Sequence, residues 1–302
     1  MTKISQRALR ALRSNVAFFH RLLTHPKAIG QRPAGSPQGT RQPRWGALFR
    51  SVGYRDRIIS IASPLALLLL WELAVRAGLV DARFFPAPSR ILGRLVGLAE
   101  SGELWTNTWA SLQRLFWGTL AGMVPALVLG LLVGLYRPVR AIVEPLVAAT
   151  YPVPKSAILP LILLIFGLGE ASKIVMVAIG VFYPVLINAA AGVGEIDRIY
   201  LDVGHNFRAS RWQVFRTIAL PGALPLVMVG IKLGVGMGLI LIAIAEMVGA
   251  KSGLGYMIWN AWEVLSVETM YVGLLMIALL GFLFTFALNE LEHWIIPWKA
   301  DR

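Results

Sequence analysis

Tyr200-Leu-Asp-Val-Gly-His-Asn-Phe-Arg-Ala-Ser-Arg-Trp-Gln-Val-Phe-Arg-Thr-Ile-Ala-Leu-Pro221 is a polar stretch set between two long apolar runs, roughly 173–194 and 222–248. Each flank exceeds the ~20 apolar residues that a membrane-spanning helix needs. Four further runs of that kind lie at roughly 58–77, 112–136, 142–167 and 269–290. The pattern predicts an all-α polytopic membrane protein with about six transmembrane helices. Composition agrees: 57% of the chain is apolar and 15% charged, against roughly 45–50% and about 25% in soluble domains. A membrane chain seldom keeps a loop so patterned unless something docks on it. Trp212 and Phe215 stand three residues apart, on one helical face, and form an aromatic plug for a partner's groove. The bland alternative rests the aromatics on lipid headgroups and the arginines on anionic lipid.

The net charge of +13 is concentrated at the N-terminus, where residues 1–57 carry 12 of the 29 Lys and Arg and a single acid, Asp56. Beside aromatic-rich apolar spans, this basic tail points to a membrane surface, not to nucleic acid. Within it Ala8, Leu9, Leu12, Val16, Phe19 and Leu23 recur at helical spacing, which suits an amphipathic surface helix or a solvated basic tail. Residues 26–50 read as a disordered linker. No apolar core follows the first basic residues, so no secretory signal is expected. Arg137, Arg140, Arg198, Arg208, Arg211, Arg216, Lys299 and Arg302 fall on the side shared with the N-terminus, so both termini are expected in the cytoplasm. The expected division is 1–57 as tail, 58–295 as membrane domain with the cytoplasmic loop 195–221, and 296–302 as C-terminal tail.

Outside the membrane, residues 84–104 read as an extended lead-in and an interfacial amphipathic helix. Residues 249–268, with Trp259 and Trp262, read as a short aromatic-anchored segment. The chain has no cysteine, and its four histidines lack metal spacing, so neither thiolate chemistry nor a metal or cofactor is expected. Gly249-Ala-Lys-Ser252 lacks the glycine that precedes the lysine of a phosphate-binding loop, so no nucleotide-hydrolysing loop is expected there. H-E-x-x-H and G-x-S-x-G are absent, which removes the commoner intramembrane enzymes. No internal repeat supports a secondary carrier, although an ion-coupled stand-alone carrier is the alternative class of transporter.

The opening stretch resembles the EAA loop of ABC-importer permeases: an acid, two small residues, Gly-Ala, a spacer, then Ile-x-Leu-Pro. Asp202, Ala209, Ile218, Leu220 and Pro221 occupy the matching positions. Phe85-Pro-Ala-Pro-Ser89, Ser111-Leu-Gln-Arg114, Pro152-Val-Pro-Lys-Ser-Ala-Ile-Leu-Pro160, Phe166-Gly-Leu-Gly-Glu-Ala-Ser-Lys173 and Ala245-Glu-Met-Val-Gly-Ala-Lys-Ser-Gly-Leu-Gly-Tyr256 extend the likeness. They are similar to the nitrate/sulfonate/taurine/bicarbonate branch of binding-protein-dependent permeases, over residues ~84–295. The resemblance implies a type I ABC importer permease fold in the bacterial inner membrane, working as a homodimer with two cytoplasmic ATPases and an extracytoplasmic solute-binding protein. The implied cargo is a small anion such as nitrate, taurine or another sulfonate, or bicarbonate; a phthalate-like acid or a pyrimidine precursor of thiamine also fits.

By this resemblance Asp202, Val203, Gly204, Arg208, Ala209, Ser210, Arg211, Trp212, Phe215 and Pro221 form the ATPase-coupling surface, as a helix from Asp202 to Arg216. One position departs from the family pattern. Arg208 stands where the family has Gly, adding bulk and charge. Pro221 suits the boundary of the following span, in whose first turn its missing amide costs little. Two lysines are expected near the middle of the bilayer, Lys155 among the prolines of the third span and Lys232 in the fifth. Both suit an anion pathway; the alternative is structural pairing with an acid or with carbonyls freed by the prolines. Glu246 is expected at the outer end of the fifth span, at a gate or as an interfacial carboxylate. Glu72 and Arg76 are expected to pair within the first span.

Overall fold

The computed structural model describes residues 54–298, and every regular element among them is helical. The chain divides into two units, Met1–Ala62 and Ser63–Arg302. Of the first, only the start of α1 (Tyr54–Arg76) is described; the basic tail helix and linker expected before it, and Lys299 and Arg302, lie outside the described residues. The second continues through α2 (Pro88–Glu100), α3 (Glu103–Leu135), α4 (Arg137–Thr150), α5 (Leu159–Phe166), α6 (Glu170–Gly194), α7 (Arg198–Asn206), α8 (Arg211–Val214), α9 (Leu220–Met247), α10 (Leu254–Glu263) and α11 (Val267–Ile295).

Among the described residues four helices are long and apolar enough to cross a membrane: α3, α6, the run Trp212–Met247 and α11. The expected first span falls on α1. The expected third span is not one rod. It is α4 and the pair Lys155–Phe166, bent by 87°, because Pro152 and Pro154 remove amide donors and disfavour helical backbone just before them.

The core is three helices deep, and glycine sets its spacing. Lipid tails are as apolar as leucine, so helices in a bilayer associate by close packing over small residues. On α3, Gly118, Gly122, Ala126, Gly130 and Gly134 recur every fourth residue and lie against α6. A Cβ on Gly122 would meet the Ala178 carbonyl oxygen at 2.3 Å, and one on Gly130 the Leu186 oxygen at 2.6 Å. On α9, Gly230 and Gly234 do the same against Pro184, Val185 and Val181 of α6. Helix α6 is thus gripped on both sides, with Met176, Val177, Val181, Val185 and Ala189 fully buried.

Helix α2 buries Ile91 and Leu98 and leaves Leu92 and Val96 exposed, the two-faced pattern expected. Glu72 pairs with Arg76 at 2.7 Å and also accepts from the Ser89 amide (3.0 Å) and hydroxyl (2.8 Å), which ties α1 to the start of α2. Helix α10 is more deeply seated than a surface anchor: Leu254, Met257 and Ile258 are buried, while Trp259 and Trp262 stay exposed.

Candidate functional site

The stretch from Asp197 to Pro221 forms a hairpin of two short helices, not the one helix from Asp202 to Arg216 that the sequence suggested. Asp197 caps α7, its carboxylate accepting the Ile199 amide at 3.1 Å. The turn that ends α7 is a left-handed cap: the Ala209 amide donates to the Gly204 carbonyl at 2.9 Å and the Phe207 amide to Val203 at 3.0 Å. Arg208 holds the left-handed position at φ 52. That position favours glycine in any helix ending this way, because a Cβ is strained there. A glycine at 208 would thus ease the backbone of this turn, a reason that stands beside the added bulk and charge of Arg208.

Ser210 then starts α8 with a reciprocal cap: its amide donates to Gln213 Oε1 at 2.7 Å, and the Gln213 amide donates to Ser210 Oγ at 3.3 Å. The Ser-x-x-Gln spacing is the sequence signal for this capping box. Gly204 is buried in the crotch of the hairpin, where a Cβ would touch Ile218 at 3.1 Å and Val214 at 3.3 Å. Local hydrogen bonds and one close packing point thus fix the shape.

Apolar side chains crowd the outer surface. Phe207 is 83% and Trp212 66% exposed, with Ile199, Tyr200 and Val203 beside them. The Trp212 and Phe215 rings stack with centroids 5.4 Å apart. Asp202 and Ser210 are exposed and Ala209 half-buried; Arg211 opens α8.

Pro221 does not mark a boundary. Residues Phe215–Ala219 form a π-helical turn, and the Leu220 amide reaches back to the Phe215 carbonyl. Widening the helix there makes room for the proline ring, which would clash in an α-helical turn. The helix is continuous for 36 residues, Trp212–Met247, about 54 Å of rod. The rod is longer than a ~30 Å hydrocarbon core.

The remaining charged residues sort into three environments. Lys155 is buried at the α4–α5 break, donating to the carbonyls of Thr150 (3.2 Å), Tyr151 (2.6 Å) and Val153 (2.9 Å), with its ammonium 4.3 Å from the Tyr183 ring centroid. It satisfies the orphan carbonyls at the end of α4, as the structural alternative expected, and points no free charge into a path. Lys232 meets Asn289 at 2.6 Å and pairs with Glu292. Its partner lies in the last turn of α11, so the pair ties the middle of α9 to the end of α11.

Glu246 is enclosed by protein, at 1% exposure, and is not an exposed interfacial carboxylate. It accepts from Ser111 Oγ (2.7 and 2.9 Å), Arg114 Nη1 (2.8 Å) and the Gly255 amide (3.0 Å). Arg114 also forks onto Glu170 at 2.6 and 2.7 Å and onto the Ser252 carbonyl at 2.6 Å. One guanidinium thus ties α3, α6, α9 and the loop before α10. Arg114 and Glu246 are buried at this end of the molecule, while the Glu170 side chain on the outer side of the fork is 65% exposed.

Comparison with known proteins adds the last observation. The family model for the binding-protein-dependent transport system inner membrane component matches residues 126–297. The taurine transport system permease protein TauC of Escherichia coli (strain K12) is 32% identical over 252 residues, 82% of this chain and 92% of the relative. SsuC of the same organism, named for aliphatic sulfonates transport, is 33% identical over 236 residues, covering 78% of this chain and 90% of the relative. SsuC of Bacillus subtilis (strain 168) is 30% identical over 236 residues, 78% and 86% of the two chains.

Proposed function

The chain belongs to the family of binding-protein-dependent transport system inner membrane components, a multi-pass transport subunit and not an enzyme, and we propose that its cargo is a small sulfonate such as taurine. In this reading the α7–α8 hairpin docks a separate cytoplasmic ATPase, both termini are cytoplasmic, and a solute-binding protein delivers the cargo to the opposite face. The permease works as a pair of identical chains. Sulfonate is preferred over nitrate or bicarbonate because the relatives above are named for taurine and aliphatic sulfonates.

The observation that carries the docking role is the hairpin itself: capped at Asp197 and Ser210, closed over Gly204, and covered with exposed aromatics. Exposed aromatic clusters of this kind are the usual anchors of an interface. The hairpin runs without a break into α9, so a push on Trp212 and Phe215 tilts a helix gripped by the glycine-packed core. ATP-driven closure of the ATPases would move the two hairpins together and switch the path between them.

Proteoliposomes holding the permease, its ATPase and its binding protein test the reading. ATP-dependent uptake of labelled taurine or an alkanesulfonate is expected, and uptake without ATP is not. Uptake driven by an ion gradient in the permease alone would overturn it in favour of a stand-alone carrier.

A further inference from the structure

The α4–α5 break stands near the middle of the membrane. The Lys155 ammonium lies 4.3 Å from the Tyr183 ring centroid, and Tyr183 is close to the midpoint of α6, a 25-residue helix long and apolar enough to span. Tyr151, Pro152, Val153 and Pro154 are non-helical and exposed there, and Ser156 and Ala157 are exposed after them. Non-helical backbone at that depth does not face lipid; it is covered by protein or lines a water-filled path.

The charge behind the break decides between the two. Arg114 is paired with two acids and Lys232 with one, whereas among the described residues no carboxylate pairs with Lys155. Its three carbonyl acceptors take up its donors and leave its charge uncancelled. Packing this surface dry against a second copy would bury one unpaired cation in each chain, which is costly. Water or a passing anion relieves that cost. The ring of Tyr151, 51% exposed, has its centroid 5.4 Å from the ammonium. A solute moving over that ring enters the field of the charge without reaching a free donor.

Resting on the sulfonate reading above, we propose that the α4–α5 break is a wall of the solute's path, where a small sulfonate passes Tyr151 and Ser156 and is drawn by the Lys155 charge. Lys155 supplies a potential and no hydrogen bond, while the two exposed hydroxyl residues offer the direct contacts. Anions are thereby favoured over cations but not trapped. Passage needs that balance, with binding favourable enough to enter and weak enough to leave.

The chain has no cysteine, so Ser156→Cys is the single thiol of the permease when the permease–ATPase complex is labelled in proteoliposomes. The probes are two methanethiosulfonates, one carrying an ethylsulfonate and the other an ethyltrimethylammonium group. Leu67→Cys, on the exposed apolar surface of α1, is the lipid-facing control, and Leu79→Cys, in the exposed turn after α1, sets the intrinsic ratio of the two reagents. With the sulfonate reagent, Ser156→Cys is expected to react at least tenfold faster than Leu67→Cys. Its sulfonate-to-ammonium rate ratio is expected to be at least threefold above that of Leu79→Cys, and labelling should cut taurine uptake at least fivefold. Lys155→Arg should keep the bias; Lys155→Gln, which retains a donor for the carbonyls and drops the charge, should abolish it. Labelling as slow as at Leu67→Cys, in proteoliposomes that take up taurine, would mean that the break is covered, which overturns the wall and leaves the sulfonate reading intact. A rate ratio no higher than at Leu79→Cys, or a bias that survives in Lys155→Gln, removes Lys155 from the account and overturns the proposal. Unlabelled proteoliposomes that take up no sulfonate overturn the sulfonate reading, and the proposal with it.

Discussion

Glu246 and Gly253 interlock: a Cβ built on Gly253 would stand 2.3 Å from the carboxylate carbon of Glu246. The same glycine has φ 120 and donates its amide to Asn107 Oδ1 at 2.8 Å. The loop before α10 is thus pressed onto a buried anion with no space for a side chain. Gly253→Ala should destabilise the permease by roughly 2–5 kcal/mol, from backbone strain plus overpacking. Thermal unfolding in detergent would record a midpoint lower by on the order of 5–10 °C.

Arg114 is bound to two carboxylates and a carbonyl, and its removal leaves the buried Glu246 carboxylate without a counter-charge. Arg114→Leu should cost about 3–5 kcal/mol. Because much of that penalty is the stranded charge, Arg114→Leu combined with Glu246→Leu should cost less than the sum of the single changes. Arg114→Lys should rescue only partly, since an ammonium lacks the fork that spans both acids. Thermal midpoints of the four proteins close the cycle.

Arg208 carries a strain that glycine would not. Arg208→Gly should stabilise the hairpin by about 1 kcal/mol and Arg208→Val should weaken it. Hydrogen exchange at the Ala209 and Val214 amides reads the difference: slower for glycine, faster for valine.

Much of the fold was legible because spanning helices announce themselves as apolar runs, and the docking stretch because it interrupts them with aromatics and arginines. The rest depended on partners far apart in the chain. Glu246 could not be recognised as buried from its own neighbours, since Arg114 is 132 residues away. Lys232 could be expected to pair with an acid, but which acid was hidden for the same reason, since Glu292 is 60 residues away. Asn289-Glu-Leu-Glu-His293 reads as an ordinary helix end and gives no local signal for the Glu292 pair. The bend in the third span was signalled by Pro152 and Pro154, but an unbroken apolar composition outweighed it. Lys155 fits that bend, and Lys155→Met should expose its cost: the Thr150, Tyr151 and Val153 carbonyls lose their donor, worth about 1–3 kcal/mol, seen as faster proteolysis near residue 152.

Ser210 and Gln213 cap each other, so Ser210→Ala should fray α8 by about 1 kcal/mol. Exchange at the Gln213 amide should quicken while α9 stays protected.

Docking through the hairpin is tested most directly by co-purification from mild detergent of the permease with the ATPase encoded beside it, comparing wild type with Trp212→Ala/Phe215→Ala. Trp212 is 66% exposed and Phe215 half-buried, so the variant should lose little stability, and its thermal midpoint is measured beside that of the wild type. The wild type is expected to carry the ATPase and the variant to retain at least tenfold less. A folded variant that holds the ATPase as well as the wild type does would show that the aromatic hairpin is not where the motor docks.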